Sequence, residues 1–165
     1  MSEYHKIHSI FKRDRATHKL IEGDYSLPEF EFLASNTWEF TEKVDGTNVR
    51  VIIDPEGVSF GGRTAAAQIP ATLIEKLISK FYPLSDTLVQ MFPEGAVFYG
   101  EGYGARIQKG GGNYRADQDF VLFDVKVGDW WLNRSAVEDI GKRLSVDVVP
   151  LVGWGKLSDG IDFVT

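Results

Sequence analysis

Thr41-Glu42-Lys43-Val44-Asp45-Gly46-Thr47-Asn48-Val49-Arg50 is the stretch on which the fold turns. Upstream of it, Trp38 and Phe40 alternate with the polar Glu39 and Thr41, the period of a half-buried strand. Asp45-Gly46 is a turn pair, and Asn48-Val49-Arg50-Val51-Ile52-Ile53 starts a second strand-like run. The pattern predicts strands over 38-44 and 48-54 and leaves a single amine, Lys43, at a strand end beside a turn and a carboxylate. An amine so placed can be a covalent nucleophile. Read alone, K-x-D-G is more often a surface lysine beside a hairpin turn.

Working outward, Asp54-Pro55-Glu56-Gly57 is a turn into a third strand over 57-62. Ser26 or Leu27 caps a helix with Pro28 in its first turn. Pro70 opens a helix over 69-82, where Leu73, Ile74, Leu77, Ile78 and Phe81 recur at helical spacing, and a shorter helix covers 85-91. Strands return at 96-101, 119-127 and 129-132. Asn133 caps a helix through Leu144, and Val146-Pro150 reads as a strand. The segment 157-165 reads as an element barely begun. This order predicts an α+β fold with mainly antiparallel sheets and flanking helices. The 165 residues suggest one domain, divided into an N-terminal segment 1-37, a body 38-127 and a terminal piece 128-165.

No apolar run approaches the roughly 20 residues of a membrane helix, and the N-terminus has no signal-like stretch. We therefore expect no membrane partner and a cytoplasmic site of action. Zero cysteines exclude disulfides and thiolate metal sites. A net charge of −6 argues against a broad basic nucleic-acid surface, yet cations group locally: Lys12, Arg13 and Arg15, then Arg106, Lys109 and Arg115 around Gly110-Gly111-Gly112. Solvated loops are the plain alternative for the first group. His5, His8 and His18 lack metal-ligand spacing.

A nucleophilic lysine must lose its proton, which an ordinary lysine holds up to a pKa of about 10.4. Desolvation, nearby cations or a metal ion beside a phosphate chain supply the shift. Arg63 follows Gly61-Gly62 at a strand end and can reach a ribose or phosphate without steric cover; a solvated arginine fits equally. Glu101, between glycines at the end of the apolar run Val97-Phe98-Tyr99-Gly100, can accept from ribose hydroxyls or help hold a metal; a strand-end Glu facing water fits equally. In Phe120-Val121-Leu122-Phe123-Asp124-Val125, period two puts Phe123 on one face with Val121 and Val125, and Asp124 on the other with Phe120 and Leu122. Phe123 can stack on a purine, although a lone strand aromatic is more often core.

In order and spacing these segments resemble the covalent nucleotidyltransferase superfamily of ATP-dependent ligases and capping enzymes: motif I at Lys43 to Gly46, motif Ia at Arg63, motif III at Glu101 and motif IIIa at Phe120 to Val125. Glu42 directly before the lysine, Gly46-Thr47-Asn48, Arg63-Thr64 and the segment from Glu101 to Tyr114 make the chain look most like the ATP-dependent RNA ligases of the phage and bacterial nick-sealing branch. The resemblance implies that Lys43 attacks the α-phosphorus of ATP with Mg²⁺ assistance. A lysyl-AMP would form, AMP would pass to an RNA 5′-phosphate, and a 3′-OH would then displace it. It further implies that Arg63 and Glu101 bind the ribose, Phe123 stacks on adenine and Glu42 lies beside the adenine edge. Asn48 would organise the phosphates, with Asp45 and Gly46 completing the lysine loop. Lys109 and Arg115 would face RNA ends or a nicked duplex. Asp45 stands where some RNA ligases of this branch carry His, which loosens the preference for RNA over DNA.

The superfamily also uses a later Glu-Gly motif IV, whose Glu helps hold the metal, and a motif V with two lysines. Here Glu-Gly begins only at Glu22, Glu56, Glu94 and Glu101, and beyond Asp124 the lysines are Lys126, Lys142 and Lys156, with no Lys-x-Lys. We therefore expect a partial adenylylation domain that lacks the motif IV metal carboxylate and would pair with a missing C-terminal part. Such a chain would bind ATP weakly and transfer AMP poorly or not at all. Alternatives are a non-catalytic nucleotide- or RNA-binding fragment, a GTP-using capping enzyme, or a DNA ligase relative.

Overall fold

The computed structural model describes residues 3–64, 67–105, 107 and 117–164. In chain order the strands are β1 (Phe11–Arg13), β2 (Leu20–Tyr25), β3 (Trp38–Thr41), β4 (Thr47–Asp54), β5 (Gly57–Gly61), β6 (Ala96–Gly104), β7 (Gln118–Val127), β8 (Trp130–Trp131) and β9 (Leu151–Gly155). The helices are α1 (Pro28–Leu33), α2 (Ala71–Phe81), α3 (Ser85–Met91), α4 (Arg134–Leu144) and α5 (Leu157–Val164). The fold is α+β, and every strand pair in its sheets is antiparallel. The chain packs as two compact units, Met1–Tyr4 with Lys43–Val149, and His5–Glu42 with Pro150–Thr165.

In the first unit, five strands run in the order β5-β4-β6-β7-β8. One face of this sheet is apolar because alternate residues point the same way: Val49, Val51 and Ile53 of β4, Phe98 of β6, and Phe120, Leu122 and Val125 of β7 are all buried. Helix α2 covers it with the stripe Leu73, Leu77 and Phe81, helped by Leu88 of α3 and by Val137, Ile140 and Leu144 of α4. The Phe81 ring meets Phe98 and Phe120 at centroid distances of 6.5 and 5.6 Å, the edge-to-face geometry that aromatic quadrupoles favour. Gly102 exists for this packing, since a Cβ there would lie 2.3 Å from Leu73 Cδ2. With that face filled, the opposite face of β4, β6 and β7 is left for Asn48, Arg50, Tyr99, Glu101 and Phe123.

The second unit holds the β1–β2 pair, the β3–β9 pair, α1 and α5. Trp38 Nε1 donates to Leu33 O at 2.9 Å, tying α1 to β3. Gly160 of α5 lies against Phe40, whose ring would be 2.5 Å from a Cβ there.

Four sequence expectations change. The lysine turn is no hairpin: β3 pairs with β9 while β4 pairs with β5 and β6, so residues 42–46 join two different sheets. Residues 146–150 form no regular strand; Leu122 N–H donates to Asp147 O (2.8 Å) and Val149 N–H to Leu122 O (2.9 Å), and Pro150, with no N–H, cannot extend the ladder. Residues 157–164, read as an element barely begun, form an eight-residue helix. The face assignment along β7 also fails after Leu122. Gly100 pairs with Leu122 but Tyr99 with Asp124, so Phe123 is the extra residue of a β-bulge. The bulge resets the alternation and turns Val125, rather than Asp124, toward the core beside Phe120 and Leu122.

Candidate functional site

Lys43 is exposed in the connection between β3 and β4, and its loop is fixed by its neighbours. Val44 is buried and packs in a small cluster with Val121 and Val149, against which Phe123 and Tyr103 also lie. Gly46 sits so close to β6 that a Cβ would fall 2.0 Å from Gly102 O and 3.2 Å from Glu101 Cγ. The glycine is therefore a matter of space. Any side chain would push the lysine loop off the strand that carries Glu101.

Glu101 lies directly across the β4–β6 ladder from Asn48, so the two side chains share a face at close range. It is half-buried, and burial pushes its carboxyl up to about 7, with the positive Lys43 opposing, the negative Asp45 adding and the positive Arg63 opposing. These influences bring Lys43, Asp45 and Arg63 into electrostatic range of one carboxyl group. Asn48 Oδ1 is buried and has no hydrogen-bond partner among the described residues. A buried acceptor left without a donor costs free energy, and a ligand hydroxyl or N–H removes that cost.

Arg63 reaches this place through a device that sequence reasoning missed. Arg50, only 5% exposed, donates from Nε to Gly62 O at 2.9 Å. A Cβ on Gly61 would come within 3.0 Å of the Arg50 guanidinium. Gly61 thus makes room for a buried arginine, and Gly62 supplies the carbonyl by which that arginine pins the bend before Arg63. The available signal was a charged residue in the apolar run of β4, which the strand pattern alone left unassigned.

Phe123 is half-buried at the β7 bulge, beside the Val44 cluster. Its other neighbour is Tyr4, whose ring stands edge-on at 5.0 Å and 75°. The Tyr4 hydroxyl donates to Asp124 Oδ2 at 2.9 Å; burial first, then the Asp124 charge, holds this phenol well above its usual range. Tyr99 and Trp131 complete the aromatic group, 5.0 and 5.5 Å from Tyr4.

The described residues thus bring together Lys43, Asp45, Gly46, Asn48, Arg63, Glu101 and, through Val44, Phe123. Glu42 belongs to the second unit, where its backbone N–H donates to Pro150 O at 2.9 Å. Lys109, Arg115 and the glycine triplet lie outside the described residues. Among those described, no three His, Cys, Asp or Glu side chains gather as a metal site, and no helix is long and apolar enough to cross a membrane. What remains is an open polar strip with both charge signs, an unsatisfied acceptor and an adjoining aromatic surface. Together these groups offer a carboxyl and a guanidinium for hydroxyls, an amine and an amide for phosphate oxygens, and an aromatic surface for a planar base, which is the chemistry a nucleoside phosphate needs.

A family model described as RNA ligase matches residues 36–162. Among solved structures, Naegleria gruberi RNA ligase variants with ATP and Mn resemble the chain with a TM-score of 0.65 at 23% identity, over 79% of this chain and 40% of that one. The same ligase with PPi matches equally, at 0.65 and 23%, and a variant with AMP and Mn gives 0.63 and 21%. At such identities the likeness shows the fold, and the chain spans about 40% of the length of those proteins. No curated protein sequence matches the chain.

Proposed function

The chain belongs to the RNA ligase family, and from that premise we propose that it carries the nucleotide-accepting site of an ATP-dependent RNA ligase, with Lys43 as the residue that takes AMP. The lone pair of neutral Lys43 Nζ attacks the α-phosphorus of ATP. The N–P bond forms, the bond from that phosphorus to the bridging oxygen of the β-phosphate breaks, pyrophosphate leaves, and the nitrogen's extra proton passes to solvent. An oxygen of an RNA 5′-phosphate then attacks the adenylyl phosphorus, the N–P bond breaks and the amine regains its proton; a 3′-OH attacks that 5′-phosphate, losing its proton and releasing AMP as the phosphodiester closes. Glu101 and Arg63 hold the ribose, Asn48 orders the phosphates beside the lysine, Asp45 and Gly46 complete the lysine loop, Phe123 carries adenine, and Glu42 reads its edge. Lys109 and Arg115 meet the RNA ends. Mg²⁺, when bound, would neutralise phosphate charge.

The observation that supports this reading is the placing of Lys43, Asp45 and Arg63 in electrostatic range of half-buried Glu101, opposite Asn48, whose buried Oδ1 has no hydrogen-bond partner among the described residues. A lysine beside an ordinary hairpin turn would have no such surroundings. Incubation with α-labelled ATP and a divalent ion tests it. A weak label retained on the denatured chain and reduced to background in Lys43→Ala is the expected result; label that persists in that variant overturns the assignment. A second reading is nucleotide binding without transfer. It predicts AMP binding with no covalent label in the wild-type chain.

A further inference from the structure

We infer that Tyr4 and Asp124 are positioning residues for the nucleobase surface, a clamp that fixes the Phe123 ring through the β7 bulge. The inference rests on the reading of Phe123 as the residue that stacks on adenine. As the extra residue of a bulge, Phe123 faces no partner on β6, so the strand ladder alone does not set its direction. Asp124 supplies what the ladder omits. Its Oδ1 accepts from Val125 N–H at 3.1 Å, which holds the backbone just past the bulge. Its Oδ2 accepts from the Tyr4 hydroxyl at 2.9 Å, a charge-assisted bond stronger than a neutral one.

Held by that bond, the Tyr4 ring stands edge-on to Phe123 and cannot swing away without also leaving Tyr99 and Trp131. On its other flank Phe123 rests on the cluster of Val44, Val121 and Val149. The stacking ring is thus gripped between the N-terminal segment and the residue next to Lys43. A base arriving there meets a fixed plane rather than a rotating side chain, so less entropy is lost on binding.

The test compares binding of AMP and of ribose 5-phosphate, which lacks the base, to the full chain and its variants. Tyr4→Phe deletes the hydroxyl and keeps the ring; Asp124→Asn removes the charge and keeps the shape. Each is expected to weaken AMP binding by about fivefold, a part of the stacking contribution, and to leave ribose 5-phosphate unchanged. Phe123→Ala probes the reading beneath: if it leaves AMP binding intact, the stacking surface and the clamp both fall. If Phe123→Ala weakens AMP but Tyr4→Phe and Asp124→Asn do not, or weaken both ligands alike, the clamp is overturned and the stacking surface stands. In the double variant Tyr4→Phe with Phe123→Ala, the clamp predicts no further loss beyond Phe123→Ala; full additivity counts against it.

Discussion

Glu101 couples the site to pH, and the sign follows from its raised carboxyl. Its ordinary value is 4.5 and the folded value about 7, so between these the folded chain holds a proton that the unfolded chain has released. That contribution to folding stability is complete below about pH 4.5, is lost as pH rises to about 7, and is flat above. Ribose hydroxyls donate best to the ionised form. AMP affinity is therefore expected to rise from pH 6 to pH 8 and level off, as calorimetric titration at several pH values will read, and Glu101→Gln should flatten the curve. Lys43, Arg63 and Glu101 were legible at this scale because each sits in a short glycine-marked stretch. The role of Arg50 and the bond from Tyr4 to Asp124 were not, since what each side chain holds lies elsewhere in the chain, at Gly62 and Asp124.

Among the elements, those with a strong local code were the readable ones. Helix α4 begins where Asn133 accepts from Ala136 N–H at 2.9 Å, and it ends at Ser145, which adopts a left-handed φ of 55°. Asn133→Ala is expected to cost about 1 kcal/mol, and Ser145→Gly to gain about 0.5–1 kcal/mol by relieving the left-handed backbone; urea melts of both variants check the opposite signs. Strands β4, β6 and β7 were likewise plain as apolar runs. By contrast, β2 has four exposed residues in its six and no alternation to read, and β9 interleaves Val152 and Trp154, both exposed, with glycines. The β7 bulge escaped because period two presumes an unbroken ladder, and nothing within Phe120–Val125 says where a ladder slips.

For the whole molecule, burial is uneven and so is the expected resistance to opening. The central strands of the first unit hold fully buried Val49, Val51, Phe98, Tyr99, Phe120 and Leu122, whereas β1 and β2 leave most of their residues exposed. Amide hydrogen exchange should find β4, β6 and β7 opening only with global unfolding, and β1 and β2 exchanging first. Equal protection across all of them would refute this gradient. The α+β class was readable from the element order. The division into two units was not, because β3 finds its partner in β9, on the far side of the whole Lys43–Val149 insertion.

That β3–β9 pairing constrains the order of events as the chain emerges during synthesis. The second unit consists of His5–Glu42 and Pro150–Thr165, with all of Lys43–Val149 inserted between them. Strand β3 is made early yet has no mate until β9 appears. Closing so long a loop from a disordered chain is slow and entropically costly. The inserted unit removes most of that cost once folded, because Val44 and Val149, its first and last core residues, pack in one cluster and so bring Glu42 and Pro150 side by side, where they share a 2.9 Å hydrogen bond. Val44, next to Lys43, thus doubles as the clasp that brings two distant pieces of chain, Glu42 and Pro150, within reach of each other.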